Sequence, residues 1–198
     1  MATTSAAPAY DPDSNAIERP SYMTVGTIVF ISSELMFFVA LFAAMFTLRA
    51  ESEGPWPPAD VHLDIPLALV LTALLVTSSV TVHAAAGAAE RGDLATLRRW
   101  MAVTIALGVV FVAGQAFEWT QLEFSISSHP YGSAFYTMTG FHGLHIIGGI
   151  LALSVVLGRS TQPAFAVNGP ATVDMVTAYW HFVDVVWLAV FGSLYLLS

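Results

Sequence analysis

The sequence predicts an all-α integral membrane protein, a bundle of five transmembrane helices with its amino terminus in the cytoplasm and its carboxyl terminus outside. Three observations predict it. The chain of 198 residues is 56% hydrophobic and only 10% charged, with a mean hydropathy of +0.71, too little polar material to cover a soluble globule of its size. Apolar runs of about 20 residues or more, each able to cross about 30 Å of hydrocarbon as a helix, recur along the chain. The 6 basic residues are all arginine, and all but Arg49 fall in the tail or on alternate connections, as retention of Lys and Arg on the cytoplasmic side requires.

Residues 1–21 are rich in Ala, Ser, Thr and Pro, with Asp11, Asp13 and Glu18, and lack the apolar core of a signal peptide. They are expected to form a disordered cytoplasmic tail rather than a cleaved leader. Residues 22–198 contain no internal repeat and form a single transmembrane bundle. Helices are expected at about 24–48, 66–89, 97–119, 131–157 and 171–197. Asp64 and Pro66 open the second, Gly92 follows it, and Pro170 sits just before the fifth. Arg19, Arg91, Arg98, Arg99 and Arg159 then share one side, the cytoplasmic one. Residues 50–65 and 122–130 carry Glu51, Glu53, Asp60, Asp64 and Glu123 without a basic residue. Arg49 alone dissents, and it can snorkel at a helix end. The loop Gly54-Pro55-Trp56-Pro57-Pro58 is stiff and aromatic, which fits an external surface contact.

Polar side chains inside the predicted helices narrow the chemistry, because intramembrane ionisable groups are rare and point inward. In Ala178 to Trp187, His181 and Asp184 share a helix face, and Trp180, Asp184 and Trp187 follow an i, i+4, i+7 row. A carboxylate at that depth costs roughly 2.5 to 3.5 kcal/mol on insertion scales, so the row must face protein. Glu34 lies near the middle of the first helix. It reads either as an acid kept neutral by burial and bonded to a hydroxyl such as Ser33 or to its own backbone, or as a proton-exchanging or lipid-contacting carboxyl. On the fourth helix His142 and His145 share a face, with Gly140, Gly143, Gly148 and Gly149 allowing close backbone approach. With His181 they would suit a metal or haem, but also helix-to-helix hydrogen bonds. His62, His83 and His129 do not supply the facing pairs at two depths that a haem bundle needs, so no metal is assigned.

Gln115, Glu118 and Gln121 make a polar row on the third helix that either bonds to a neighbour or reaches the interface. His83 and Glu90 are expected to be wetted. Arg159 either holds a lipid phosphate or snorkels. The absence of cysteine excludes disulfides, iron–sulfur clusters and thiolate metal sites on this chain. A net charge of −8 argues against nucleic acid.

The motifs Ser33-Glu34 with Phe37-Phe38, Trp56-Pro57-Pro58, Glu90-Arg91-Gly92-Asp93, Gln115-Ala116 with Glu118, Tyr131-Gly132-Ser133, Thr139 to His145 and Tyr179 to Trp187 occur in one order along nearly the whole chain. In that order they resemble subunit III of the haem-copper oxidases. The resemblance implies a five-helix bacterial form of cytochrome c oxidase subunit 3 in the plasma membrane, with no cofactor and no catalytic residue of its own. It implies docking on catalytic subunit I, with haem a, haem a3 and copper in partner subunits, and other oxidase subunits, phospholipids and a cytochrome bc complex in a supercomplex as further partners. The carboxyl matching Glu34 is the family's carbodiimide-reactive intramembrane acid. The role implied is support of proton uptake, lipid binding and stability of subunit I. Longer members have seven helices, and the match begins at the helix of Glu34. Glu at position 34 with Trp56-Pro57-Pro58 looks more like the cytochrome c branch of aa3 type than a cytochrome o type quinol oxidase, which is the near alternative. A small proton-coupled transporter using Glu34 and Asp184 is the reading from a different class, and the lack of a two-fold repeat argues against it.

Overall fold

The computed structural model describes residues 21–59, 61–162 and 165–197, the side chains of 166–168 excepted. The expected tail over residues 1–21, with Arg19, lies outside them apart from Ser21, as does Asp60. The described residues form five helices: α1 Tyr22–Glu51, α2 Ile65–Glu90, α3 Leu94–Gln121, α4 Pro130–Arg159 and α5 Phe165–Phe191, the last continuing into a π-helical turn at Gly192–Leu196. All 5 are long and apolar enough to cross a membrane. Local chemistry sets their ends. Ser21 caps α1 by accepting from the Thr24 N–H, Asp64 accepts from Leu67 ahead of Pro66, and His129 Nδ1 accepts from Gly132 at the start of α4. Asp93 caps α3, and the Thr96 hydroxyl and N–H hold its carboxyl below the ordinary carboxylate range. Gly92 closes the α2–α3 turn at a φ of 72°, where a side chain would be strained.

The fifth helix departs from expectation. It starts at Phe165 rather than after Pro170, which lies inside it. As the sixth residue of the helix, Pro170 lies past the first turn, and its ring takes away one i→i−4 backbone bond.

Helices α2, α3, α4 and α5 form a ring in which each packs on the next and α5 closes back onto α2, while α1 lies outside against α4 and α5. Only Phe38 and Met45 of α1 are buried. Small residues set the spacing within the ring. A methyl group at Gly108 of α3 would fall 2.7 Å from Cη2 of Trp180, and one at Gly149 of α4 would fall 2.8 Å from its Cε3. The Trp180 indole therefore fills the place where α3 and α4 have no side chain, and its Nε1 donates to Ser78 Oγ of α2 at 2.9 Å. It touches every other member of the ring. Gly140 meets Trp119 at 3.4 Å, an ordinary contact, whereas nothing lies within 4 Å of a methyl at Gly143.

The turn ends are tied as well. Arg98 Nε donates to Ser160 Oγ at 3.1 Å and its Nη2 to the Ser160 carbonyl, clasping the start of α3 to the end of α4. At the opposite end Trp56 packs edge-on against Tyr131 at 5.3 Å, so the loop expected to make an external contact leans on the bundle. Its Trp56–Pro57 peptide is cis.

Gly149→Ala should destabilise the purified chain in detergent by about 1–3 kcal/mol through overpacking against Trp180, whereas Gly143→Ala should stay within about 0.5 kcal/mol of the parent. Thermal unfolding of both variants checks this, and equal midpoints would mean that Trp180 is not seated between the two glycines.

Candidate functional site

Three separate polar groupings lie inside the apolar bundle; of the five residues expected to make a buried polar network, Glu118, His145, His181 and Asp184 are divided among them and His142 stands apart. The first joins α1 to α4. Glu34 Oε2 lies 2.9 Å from His145 Nε2, with side chains 25% and 14% exposed. The other ring nitrogen, His145 Nδ1, lies 2.7 Å from the Phe141 carbonyl. A carbonyl only accepts, so Nδ1 carries a proton. Nε2 then either accepts from a protonated Glu34 carboxyl or, as an imidazolium, donates to the carboxylate. These two forms differ only in the position of one proton shared between α1 and α4.

Phe37 and Phe38 wall this pair, Phe38 at 4.8 Å from the imidazole centroid. Tyr179 of α5 donates to the His145 carbonyl at 3.1 Å. Ser33 turns back to the Phe30 carbonyl at 2.7 Å, so the hydroxyl considered as a partner for Glu34 is occupied by its own helix. One turn from Glu34, a groove of about 520 Å³ runs between α1, α4 and α5, lined by Gly26, Phe30, Gly148, Ala152, Val176 and Tyr179.

The second grouping joins α5 to α2. Ser79 Oγ sits 2.8 Å from His181 Nδ1 and also bonds Asp184 Oδ2. Since Ser79 has one hydroxyl proton, which goes to Asp184, the imidazole is the donor to Ser79 Oγ. Trp187 Nε1 donates to Thr72 Oγ1 at 2.9 Å. The third grouping lies near the carboxyl-terminal end of α3, where Glu118 accepts from Gln115 Nε2 at 2.8 Å and from the Tyr195 hydroxyl at 2.9 Å. Gln121, expected in the same row, is exposed and bonds only its neighbour Thr120. Beside this grouping a mostly apolar groove of about 500 Å³ opens between α3 and α4, lined by Gln115, Trp119, Tyr136, Gly140 and Leu144 among others.

His142 belongs to none of the three. It is fully buried, stands between Phe111 at 5.7 Å and Trp187 at 4.9 Å, and neither ring nitrogen has a hydrogen-bond partner among the described residues. His142, His145 and His181 thus point to three different surroundings. Among the described residues no group of three or more His, Cys, Asp or Glu side chains is placed to hold a metal ion. His83 and Glu90 are exposed, and Arg159 is exposed in the last turn of α4. Sequence reasoning did not find Ser79, Tyr179, Tyr195 or the Arg98 clasp. The signal for Ser79 was available in the hydroxyl spacing Thr72, Ser78, Ser79 and Thr81, which places acceptors on α2 opposite the aromatic and ionisable row of α5.

Burying both nitrogens of His142 unpaired costs stability, on the order of 1–3 kcal/mol. His142→Leu should therefore leave the isolated chain as stable as the parent or raise it by about 1 kcal/mol; a clear fall in the unfolding midpoint in detergent would mean that the ring has a partner.

The model of the family described as cytochrome c oxidase subunit III matches residues 14–198. The chain is 46% identical over 184 residues to a probable cytochrome c oxidase subunit 3 of Nocardia farcinica, covering 91% of both chains. It is 46% identical over 188 residues to the cytochrome c oxidase subunit 3 of Corynebacterium diphtheriae, covering 92% of both. With the corresponding protein of Thermostichus vulcanus it shares 37% over 185 residues, 93% of this chain and 92% of that one.

Proposed function

The chain belongs to the cytochrome c oxidase subunit III family, and from that premise we propose that it serves an aa3-type oxidase of the bacterial plasma membrane as a subunit without a redox centre, supporting proton uptake, lipid binding and the stability of catalytic subunit I. Family membership makes it a multi-pass membrane component of a proton-pumping oxidoreductase complex in the respiratory chain, working with other oxidase subunits. In this reading haem a, haem a3 and copper sit on the partner subunits, subunit I is the direct neighbour, and a cytochrome bc complex joins them in a supercomplex.

The observation that carries the proton role is the Glu34–His145 pair. Its Nδ1 proton is committed to the Phe141 carbonyl, so the Glu34–Nε2 contact holds one mobile proton at mid-membrane depth. The proton can pass between the Glu34 carboxyl and the His145 imidazole, from one helix to the other, with no change in the net charge of the pair. Electron transfer needs nothing from it, so the pair tunes proton supply and leaves oxygen chemistry to subunit I. The two grooves, one beside Tyr179 and one beside Trp119, are mostly apolar, which supports acyl-chain binding, and in this reading Arg159 at the end of α4 binds a phosphate headgroup. Arg91, Arg98, Arg99 and Arg159 lie towards the cytoplasm in this arrangement and Trp56 outside.

Glu34→Gln keeps the hydrogen-bonding shape and removes the exchangeable acid. The variant oxidase should assemble with normal haem content, lose carbodiimide labelling at this subunit and show modestly altered sustained turnover. Complete loss of oxygen reduction in the fully assembled variant would make Glu34 part of the essential chemistry and overturn the assignment. Glu34→Ala, which leaves His145 Nε2 unpaired, should in addition loosen the subunit by roughly 1 to 3 kcal/mol.

The topology has its own check, because the chain has no native cysteine. Single cysteines at Glu53 and Thr161 should react with a membrane-impermeant maleimide from the outside and from the cytoplasmic side respectively. The reverse pattern would invert the bundle.

A further inference from the structure

The outer surface of the seam between α2 and α5 carries hydrogen-bonding groups at a depth where lipid has none to offer. On α2, Ser79, His83 and Glu90 recur at intervals of four and seven residues, and on α5 Asp174, Thr177, His181 and Asp184 recur at intervals of three, four and three. Each set lies along one helix face. Ser79 binds both His181 and Asp184, and the His83 ring lies 6.4 Å from that of His181. Two buried atoms on this face, Asp184 Oδ1 and Thr177 Oγ1, have no partner among the described residues.

His83 is exposed, although it stands seven residues inside the end of α2, about 10 Å along the helix axis. The aliphatic residues beside the stripe, Val80 and Val185, are 67% and 64% exposed. The outer face of α1 is different in kind. It presents Ile28, Val29, Met36 and Val39, all exposed, with no ionisable side chain among them, which suits acyl chains.

We propose that the α2–α5 seam is the face by which this chain docks on a membrane-spanning helix of the haem-bearing subunit, with a polar side chain of that helix pairing with the exposed His83 and with the half-buried His181, whose other ring nitrogen is held by Ser79. The inference rests on membership of the oxidase complex and adds which face is used. Acyl chains cannot satisfy an imidazole or a carboxyl, and a lipid phosphate does not reach this depth, whereas a helix bearing an amide, hydroxyl or basic group can. The contact would be selective, because a wholly apolar helix would seal the same groups away unpaired.

Since the chain has no native cysteine, the face can be probed in the intact oxidase with single substitutions. Val80→Cys and Val185→Cys report on the seam, and Val29→Cys and Met36→Cys on α1. All four positions are exposed in the isolated chain, so the substitutions leave its packing alone. With a bilayer-soluble maleimide the two seam positions should react several-fold more slowly than the two α1 positions, and a benzophenone maleimide at Val80→Cys should cross-link to the haem-bearing subunit. Equal labelling of both faces overturns the docking face, as does cross-linking from Met36→Cys but not from Val80→Cys. Fast reaction of Val80→Cys with a water-soluble maleimide would make the seam a water-lined surface and overturns it too. Failure of the unsubstituted chain to co-purify with a haem protein would instead overturn the function on which the inference rests.

Discussion

The packing of this bundle depends on one constraint: the polar row of α5 has no water to bind and must be satisfied by α2. Trp180 donates to Ser78, Trp187 to Thr72, and His181 and Asp184 both meet Ser79. Each acceptor on α2 is a short hydroxyl, so the two helix axes can lie close enough for the indoles to reach across. In hydrocarbon, where apolar side chains gain nothing by leaving lipid, such bonds and close van der Waals contact supply most of the specificity of helix pairing. The Trp180 seat then transmits the α2–α5 register to α3 and α4, because the indole fits only where Gly108 and Gly149 leave room. Moving α5 by one residue would remove four pairings at once.

The first helix is held by a different logic. It buries little of itself, and its polar link to the ring is Glu34 to His145. A helix attached by a few aromatic contacts and one acid–imidazole pair is suited, in the proposed function, to exchange a proton without dismantling the bundle. Its neighbours Phe37 and Phe38 keep the pair from lipid on one side, and Tyr179 anchors the backbone of His145 from α5. In the proposed function, structural rigidity and proton exchange fall to separate sets of residues, one within the ring and one at its edge. This division agrees with the role of a subunit that assists a catalytic partner.

Length, hydropathy and the spacing of turn residues were sufficient to predict the five helices, because a chain in hydrocarbon can satisfy its backbone only by forming helices long enough to cross it. The ionisable residues of interest could also be picked out, since their rarity inside apolar runs marks them whatever the fold. The inward-facing row of Trp180, Asp184 and Trp187 followed from helical periodicity alone. Only the tertiary structure decided which partner each residue meets. His142 and His145 lie three residues apart on one helix, yet one is sealed between aromatic rings without a partner among the described residues and the other binds Glu34, because α1 reaches only the outer edge of that face. Glu118 finds Tyr195, 77 residues away, and Arg98 finds Ser160, 62 residues away. Such pairings are set by which helices become neighbours in the ring, and periodicity along one helix carries no information about its neighbours.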